Sequence, residues 1–150
     1  LELSSAASDV YKRQPFLLDT HDDVPEKILE MRKSLEVSEK IIIFSPVYNG
    51  GFLAHLKNTL DWLSLAYDEN RYSALFKEKK VAVVTTVKGA GSNAKKAFEI
   101  LSMQLSNYDL QVFEKFHLIT KSEHQNEKSI LNNQDVIESL NSYAEEFLDL

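Results

Sequence analysis

A chain of 150 residues with 43% hydrophobic and 27% charged content is long enough to bury the core of one domain. Its 23 acidic against 17 basic residues leave a net charge of −6, which argues against nucleic acid or an anionic membrane as the main partner. The absence of cysteine excludes disulfides, thiolate metal sites and cysteine nucleophiles, and no apolar run approaches the roughly 18 residues of a membrane span, so a cytoplasmic protein is expected.

Leu1–Gln14 (LELSSAASDVYKRQ) has neither a helical nor a strand period and is rich in small and polar residues. It resembles translated adaptor read-through more than a native segment, the alternative being a natural disordered leader. The domain proper is therefore expected over residues 15–150. Pro15–Asp23 reads as a loop. A helix follows from Asp23 to about Ser38, with Pro25 near its first turn and Glu26 favouring the helix dipole. Lys40–Phe44 is expected as a strand buried on both faces, and Phe52–Ala66 as an amphipathic helix carrying Leu53, Leu56, Leu60 and Leu63. After a polar connection, Val81–Thr85 repeats the continuous apolar run of a buried strand. Thr86–Asn93 is a second turn-rich loop and Ala94–Asn107 a long helix. Val112–Ile119 reads as the third strand, and Ser129–Leu150 ends the chain as a helix. Strands alternating with amphipathic helices predict an α/β fold, a parallel sheet between helical layers joined by right-handed crossovers.

Two loops stand where such sheets bind ligands, outside the carboxyl ends of the strands. The first is Pro46-Val47-Tyr48-Asn49-Gly50-Gly51. On its own the Asn-Gly pair means only a turn. The second, Thr86-Val87-Lys88-Gly89-Ala90-Gly91-Ser92-Asn93, has the composition of an anion loop at a helix N-terminus, although Ser92 or Asn93 acting as an N-cap accounts for half of that pattern. The four histidines, His21, His55, His117 and His124, show no metal-ligand spacing. His55 reads as a solvated helix residue, and Lys57 and Asp61 form an i, i+4 pair.

Pro46-x-Tyr48-Asn49-Gly50, followed at fixed spacing by Leu56-Lys57-Asn58 and Asp61-Trp62, resembles the hallmark of NADPH-dependent FMN reductases. The close match covers about two dozen residues and a looser one most of Phe16–Leu150. The resemblance implies a flavodoxin-like three-layer αβα sandwich with strand order 2-1-3-4-5. Only three strands are legible here, so the first strand and the phosphate-binding loop are expected to be lacking. It further implies FMN as cofactor and NADPH as hydride donor, with electrons passing through flavin N5 to a flavin, quinone, azo compound or similar small-molecule acceptor. Pro46, Val47, Tyr48, Asn49 and Gly50 are the implied contacts from the first loop, and Thr86, Lys88 and Gly89 those from the second. No side-chain acid or base is required, so no catalytic residue is assigned. Val47 departs from the family's usual glutamate, which removes an ion pair but leaves the backbone contacts. The helix at Phe52–Ala66 is the implied contact of a homodimer or tetramer, where Trp62 serves as core or interface anchor. Two other classes stay open: a flavodoxin-like electron-transfer protein, and an interaction module without flavin.

Overall fold

Parallel pairing in the order β1-β2-β3 joins β1 (Lys40–Pro46), β2 (Lys80–Lys88) and β3 (Gln111–Lys121). The computed structural model describes residues 16–17, 24–88, 91–121 and 132–150; the leader Leu1–Gln14 and Gly89 lie outside these. Among the described residues four helices cover the sheet: α1 (Glu26–Glu36), α2 (Ala54–Ser64), α3 (Ala94–Ser106) and α4 (Gln134–Leu148). The alternation α1-β1-α2-β2-α3-β3-α4 is the expected α/β sandwich, and its strands all run the same way.

Each boundary has a local cause. Pro25, extended at ψ 139, offers its carbonyl to the N–H groups of Ile28 and Leu29 and starts α1 at Glu26, three residues later than the sequence pattern suggests. Asn133 starts α4, because its side-chain oxygen accepts from the N–H of Asp135 at 3.0 Å and of Val136 at 3.4 Å. Asn93 does stand at the N-cap of α3, but it adopts a helical conformation and makes no side-chain cap bond. The capping role expected of it is therefore not realised.

Two cores form on the two faces of the sheet. On one, Ile28 of α1, Leu60, Trp62 and Leu63 of α2, and Leu101 and Leu105 of α3 pack on Val81 and Val83. On the other, Tyr143 and Phe147 of α4 pack on Ala82 and Val84. The β2 run Val81–Val84 is buried on both faces, as its pattern predicts. Each of its valines contributes about 1.5–3 kcal/mol relative to exposure. The expected two-sided burial of β1 is not found. Ile41, Ile42 and Ile43 are half-buried and Phe44 is 46% exposed, because β1 is an edge strand among the described residues.

The β2–β3 ladder is interrupted. Val81 pairs with Val112 but Val83 with Phe116, so β3 advances further than β2 between the two pairs. Beside this irregularity the Val83 peptide is also met by the hydroxyl of Tyr143. That oxygen accepts from Val83 N–H at 3.1 Å and shares its proton between the carbonyls of Val83 and Lys115, both at 3.0 Å. The ring is held by Phe113 and His117, with centroids at 5.6 and 5.3 Å. No described helix is long and apolar enough to cross a membrane.

Candidate functional site

The parallel sheet brings the loops after β1 and β2 side by side. Val47 N–H donates to Thr86 O at 2.9 Å, which ties the two strand ends together. Beyond that bond, Tyr48 and Gly51 exchange N–H···O bonds at 3.0 Å each way and close a tight turn. Asn49 and Gly50 at its tip have φ of 51° and 76°. Asn tolerates that region and Gly meets no penalty there, which is the reason for an Asn-Gly pair at this point. The second loop re-enters the described residues at Gly91, φ 70°. A Cβ there would stand 3.1 Å from both Leu118 Cδ2 and Val87 Cγ2. Only glycine lets this loop pass so close to β3.

Between the loops lies a cavity of about 320 Å³, lined by Val47, Asn49, Gly50, Val87, Gly91, Ser92 and Asn93. Of the expected contacts the structure therefore gathers Val47, Asn49 and Gly50. Pro46 ends β1 directly beneath them. Tyr48 is 65% exposed at the rim and outside the lining. Thr86 is also outside it, its carbonyl taken by Val47. Lys88 closes β2. Residue reading passed over Val87 as a lining group and treated Ser92 and Asn93 only as caps; the turn-rich composition of Thr86–Asn93 was the available signal.

The electrostatics of the site come from the backbone. α3 begins at Ala94, next to Ser92 and Asn93, with no acidic residue in its first turn and no side-chain cap. α2 likewise starts without a side-chain cap or an acidic first turn. Helix N-termini of this kind present partial positive charge and N–H donors, which favour a ligand that carries or acquires negative charge. A cavity of about 550 Å³ exists at the opposite end of the sheet, walled by Glu36–Lys40 and Lys77–Lys80. It lies at the amino ends of β1 and β2, away from both turn-rich loops, so the smaller cavity is the better ligand site.

The helix signature does structural work. Lys57 Nζ sits 2.6 Å from Asp61 Oδ1, a partly exposed pair contributing about 0.3–0.5 kcal/mol. Asp61 also accepts from the Tyr108 hydroxyl at 2.9 Å. Burial, reinforced by Asp61, raises the Tyr108 pKa well above its ordinary value, so the phenol stays a donor. Asn58 Oδ1 accepts from Leu17 N–H at 2.9 Å. Trp62 is 3% exposed and is a core anchor, with its carbonyl accepting from Arg32 Nη2 at 3.1 Å. None of these side chains lines the cavity. His55 is exposed, and no group of residues suited to hold a metal exists among the described residues.

Gly50 faces open space, its nearest heavy atom being Asn93 Cγ at 4.0 Å from a built Cβ. The glycine-lined cavity has a volume at the lower end of the range for ligand pockets.

Comparison with known proteins bears on what the slot holds. Over 56 residues the chain is 41% identical to the FMN-dependent NADH:quinone oxidoreductase 6 of Burkholderia lata, a match spanning 34% of this chain and 28% of that protein. In structure it resembles FerB, a flavoenzyme NAD(P)H:(acceptor) oxidoreductase from Paracoccus denitrificans, at a TM-score of 0.72 and 22% identity over 93% of this chain and 75% of that one. Oxidised flavodoxin 2 from Bacillus cereus superposes at 0.54 with 17% identity, over 79% and 70% of the two chains. Likeness at these identities shows the fold, which is flavodoxin-like. The sequence pattern of the NADPH-dependent FMN reductases matches residues 6–124, and the chain belongs to that family.

Proposed function

We propose that the protein is an FMN-dependent oxidoreductase that takes electrons from NADPH and passes them to a small-molecule acceptor of the flavin, quinone or azo type. The observation that supports this most is the convergence of the Val47–Gly50 turn and the α3 N-terminus on one cavity, in a chain whose family reduces FMN. The Burkholderia relative, by its name a quinone oxidoreductase, favours a quinone among the acceptors. Pro46, Val47, Tyr48, Asn49 and Gly50 would border the ring from one side. Val87, Gly91, Ser92 and Asn93 would do so from the other, with Thr86 and Lys88 in the strand behind them; Gly89, the remaining expected contact, lies outside the described residues.

FMN, when bound, supplies the two-electron chemistry. The chain's own part is to orient and to stabilise. The tight turn fixes backbone groups beside the slot, and the uncapped end of α3 offers donors where negative charge accumulates on reduction. No general acid or base is required of a side chain. A cytoplasmic location and a homodimer, or a dimer of dimers, belong to the same proposal. α2 buries Asn58, Thr59, Leu60, Trp62, Leu63 and Ser64 within the chain, which leaves Ala54, His55 and the half-exposed Lys57 as the face for a second copy.

Titration of the purified chain with FMN, followed by flavin fluorescence, tests the reading. Saturable quenching is expected, weakened on the order of tenfold in Gly50→Val, which is about 1.4 kcal/mol. NADPH consumption in the presence of a quinone then tests turnover. No fluorescence change in the parent chain would overturn the proposal.

A further inference from the structure

Of the asparagines in the chain only Asn49 is followed by glycine. A peptide nitrogen can attack the side-chain carbonyl of the asparagine before it, and glycine, with no Cβ, leaves that nitrogen unshielded. Whether the attack can occur is decided by the fold. Asn58 is buried within α2. Asn93 and Asn107 precede residues whose N–H groups are already bonded, Ala94 to Gly91 O at 2.9 Å and Tyr108 to Leu105 O at 3.0 Å. Neither hindrance applies at Asn49. Its side chain is exposed, and the turn is closed through Tyr48 and Gly51, so neither closing bond uses the Gly50 N–H. With φ at 51°, Asn49 occupies a region that side chains rarely adopt, so opening the turn at this residue relieves strain. Among the described lining residues of the cavity none is charged, and Ser92 and Asn93 bring the N-terminus of α3 to its far wall. That positive end favours the negative charge that develops on the Gly50 nitrogen and then on the Asn49 side-chain oxygen during attack.

We infer that Asn49 is a site of spontaneous modification that turns the neutral wall of this cavity into an anionic one. The Gly50 nitrogen forms a bond to Asn49 Cγ, the Cγ–Nδ2 bond breaks, and ammonia leaves with the proton of the Gly50 amide. The result is a five-membered imide, which water opens at either carbonyl. Breaking the bond from nitrogen to Cγ leaves aspartate. Breaking the bond from nitrogen to the main-chain carbonyl leaves isoaspartate, with the chain running through Cβ. Either way one water enters, one ammonia leaves and no electrons are exchanged. Both products place a carboxylate beside Val47 and Gly50, where a ligand that carries or acquires negative charge would meet it. Isoaspartate also adds a main-chain atom inside a two-residue turn, which misaligns the bonds between Tyr48 and Gly51. The consequence for FMN rests on the proposed flavin site; the modification itself does not.

Peptide mapping by mass spectrometry of the flavin-free chain, incubated at mildly alkaline pH, tests the modification. Conversion at Asn49, read as loss of the amide and appearance of isoaspartate, is expected to be at least about tenfold faster than at Asn93 in the same sample. It should also stay within about tenfold of its rate in the urea-unfolded chain. An Asn49 that remains intact while the unfolded chain converts would show that the fold protects it and would overturn the inference, as would equal rates at Asn49 and Asn93. Gly50→Ala, which places a Cβ beside the attacking nitrogen, should slow conversion by about tenfold whether or not that variant folds, and an unchanged rate would overturn the mechanism. Asn49→Asp carries the charge of one product from the start and should bind FMN about tenfold more weakly than the parent in a fluorescence titration. Equal affinities would overturn the consequence for the cavity. If the parent binds no FMN, the flavin reading fails while peptide mapping still decides the modification.

Discussion

Removing one oxygen atom from α4 should loosen the middle of the sheet. In Tyr143→Phe the ring keeps its packing against Phe113, Phe147 and Ala82. What disappears is the hydroxyl that satisfies Val83 N–H and shares its proton with the carbonyls of Val83 and Lys115. Val83 is 1% exposed, so water does not readily replace it. Val83 keeps its ladder pairing with Phe116, so the loss is that of a buried hydrogen-bonded hydroxyl rather than of an orphaned N–H, about 1–2 kcal/mol in all. That is a measurable fraction of the roughly 5–15 kcal/mol that holds a domain folded. It corresponds to a fall in Tm of about 2–8 °C for a chain of this size. Urea denaturation followed by circular dichroism should show a lower midpoint at unchanged slope, and the Val83 amide should exchange faster. Tyr143→Leu should cost more, since it also removes the ring. A Tyr143→Phe variant within about 0.5 kcal/mol of the parent would refute the argument, because the bulge would then be satisfied by other means.

Three further outcomes follow from the same physics. Gly91→Ala should cost more than Gly50→Ala: both pay about 1–2 kcal/mol for a left-handed backbone, but only at Gly91 does the new Cβ press on Leu118 and Val87. Equal midpoints in thermal melts would contradict this. His117 is held by burial below its ordinary pKa of 6.5. The unfolded chain therefore binds more protons than the folded one just under that pH, and stability should fall as acid is added from about pH 6.5 down to the folded pKa. His117→Phe should flatten that part of the stability curve, and an identical slope in the variant would count against the assignment. Arg32 is 5% exposed, donates to Trp62 O and stacks 4.5 Å from the Tyr67 ring centroid. Arg32→Ala should destabilise by about 2–4 kcal/mol through lost packing. Arg32→Met, which restores apolar volume, should recover part of that in the same denaturation assay.

Much was readable from residues alone, for local reasons. The runs Ile41–Phe44 and Val81–Val84 announce strands, because only a sheet covered by helices buries four consecutive apolar residues. Asn49-Gly50 announces its turn, because both residues accept positive φ. The joined motif Pro46–Gly50 and Leu56–Trp62 was sufficient for the family. Other features depend on what the chain brings together in space. Two-sided burial held for Val81–Val84 and failed for Ile41–Phe44, since strand order, which no local pattern encodes, puts β2 in the middle and β1 at the edge. Asn93 has the right type and position for a cap, yet its helical backbone makes no such bond. Residues 45 positions apart, Val47 and Ser92, share one cavity wall because parallel pairing aligns the ends of β1 and β2. Tyr143 looked like one more apolar residue of an amphipathic helix. Only the tertiary structure set its hydroxyl against the Val83 peptide beside the irregular step of the β2–β3 ladder, a contact between residues 60 positions apart.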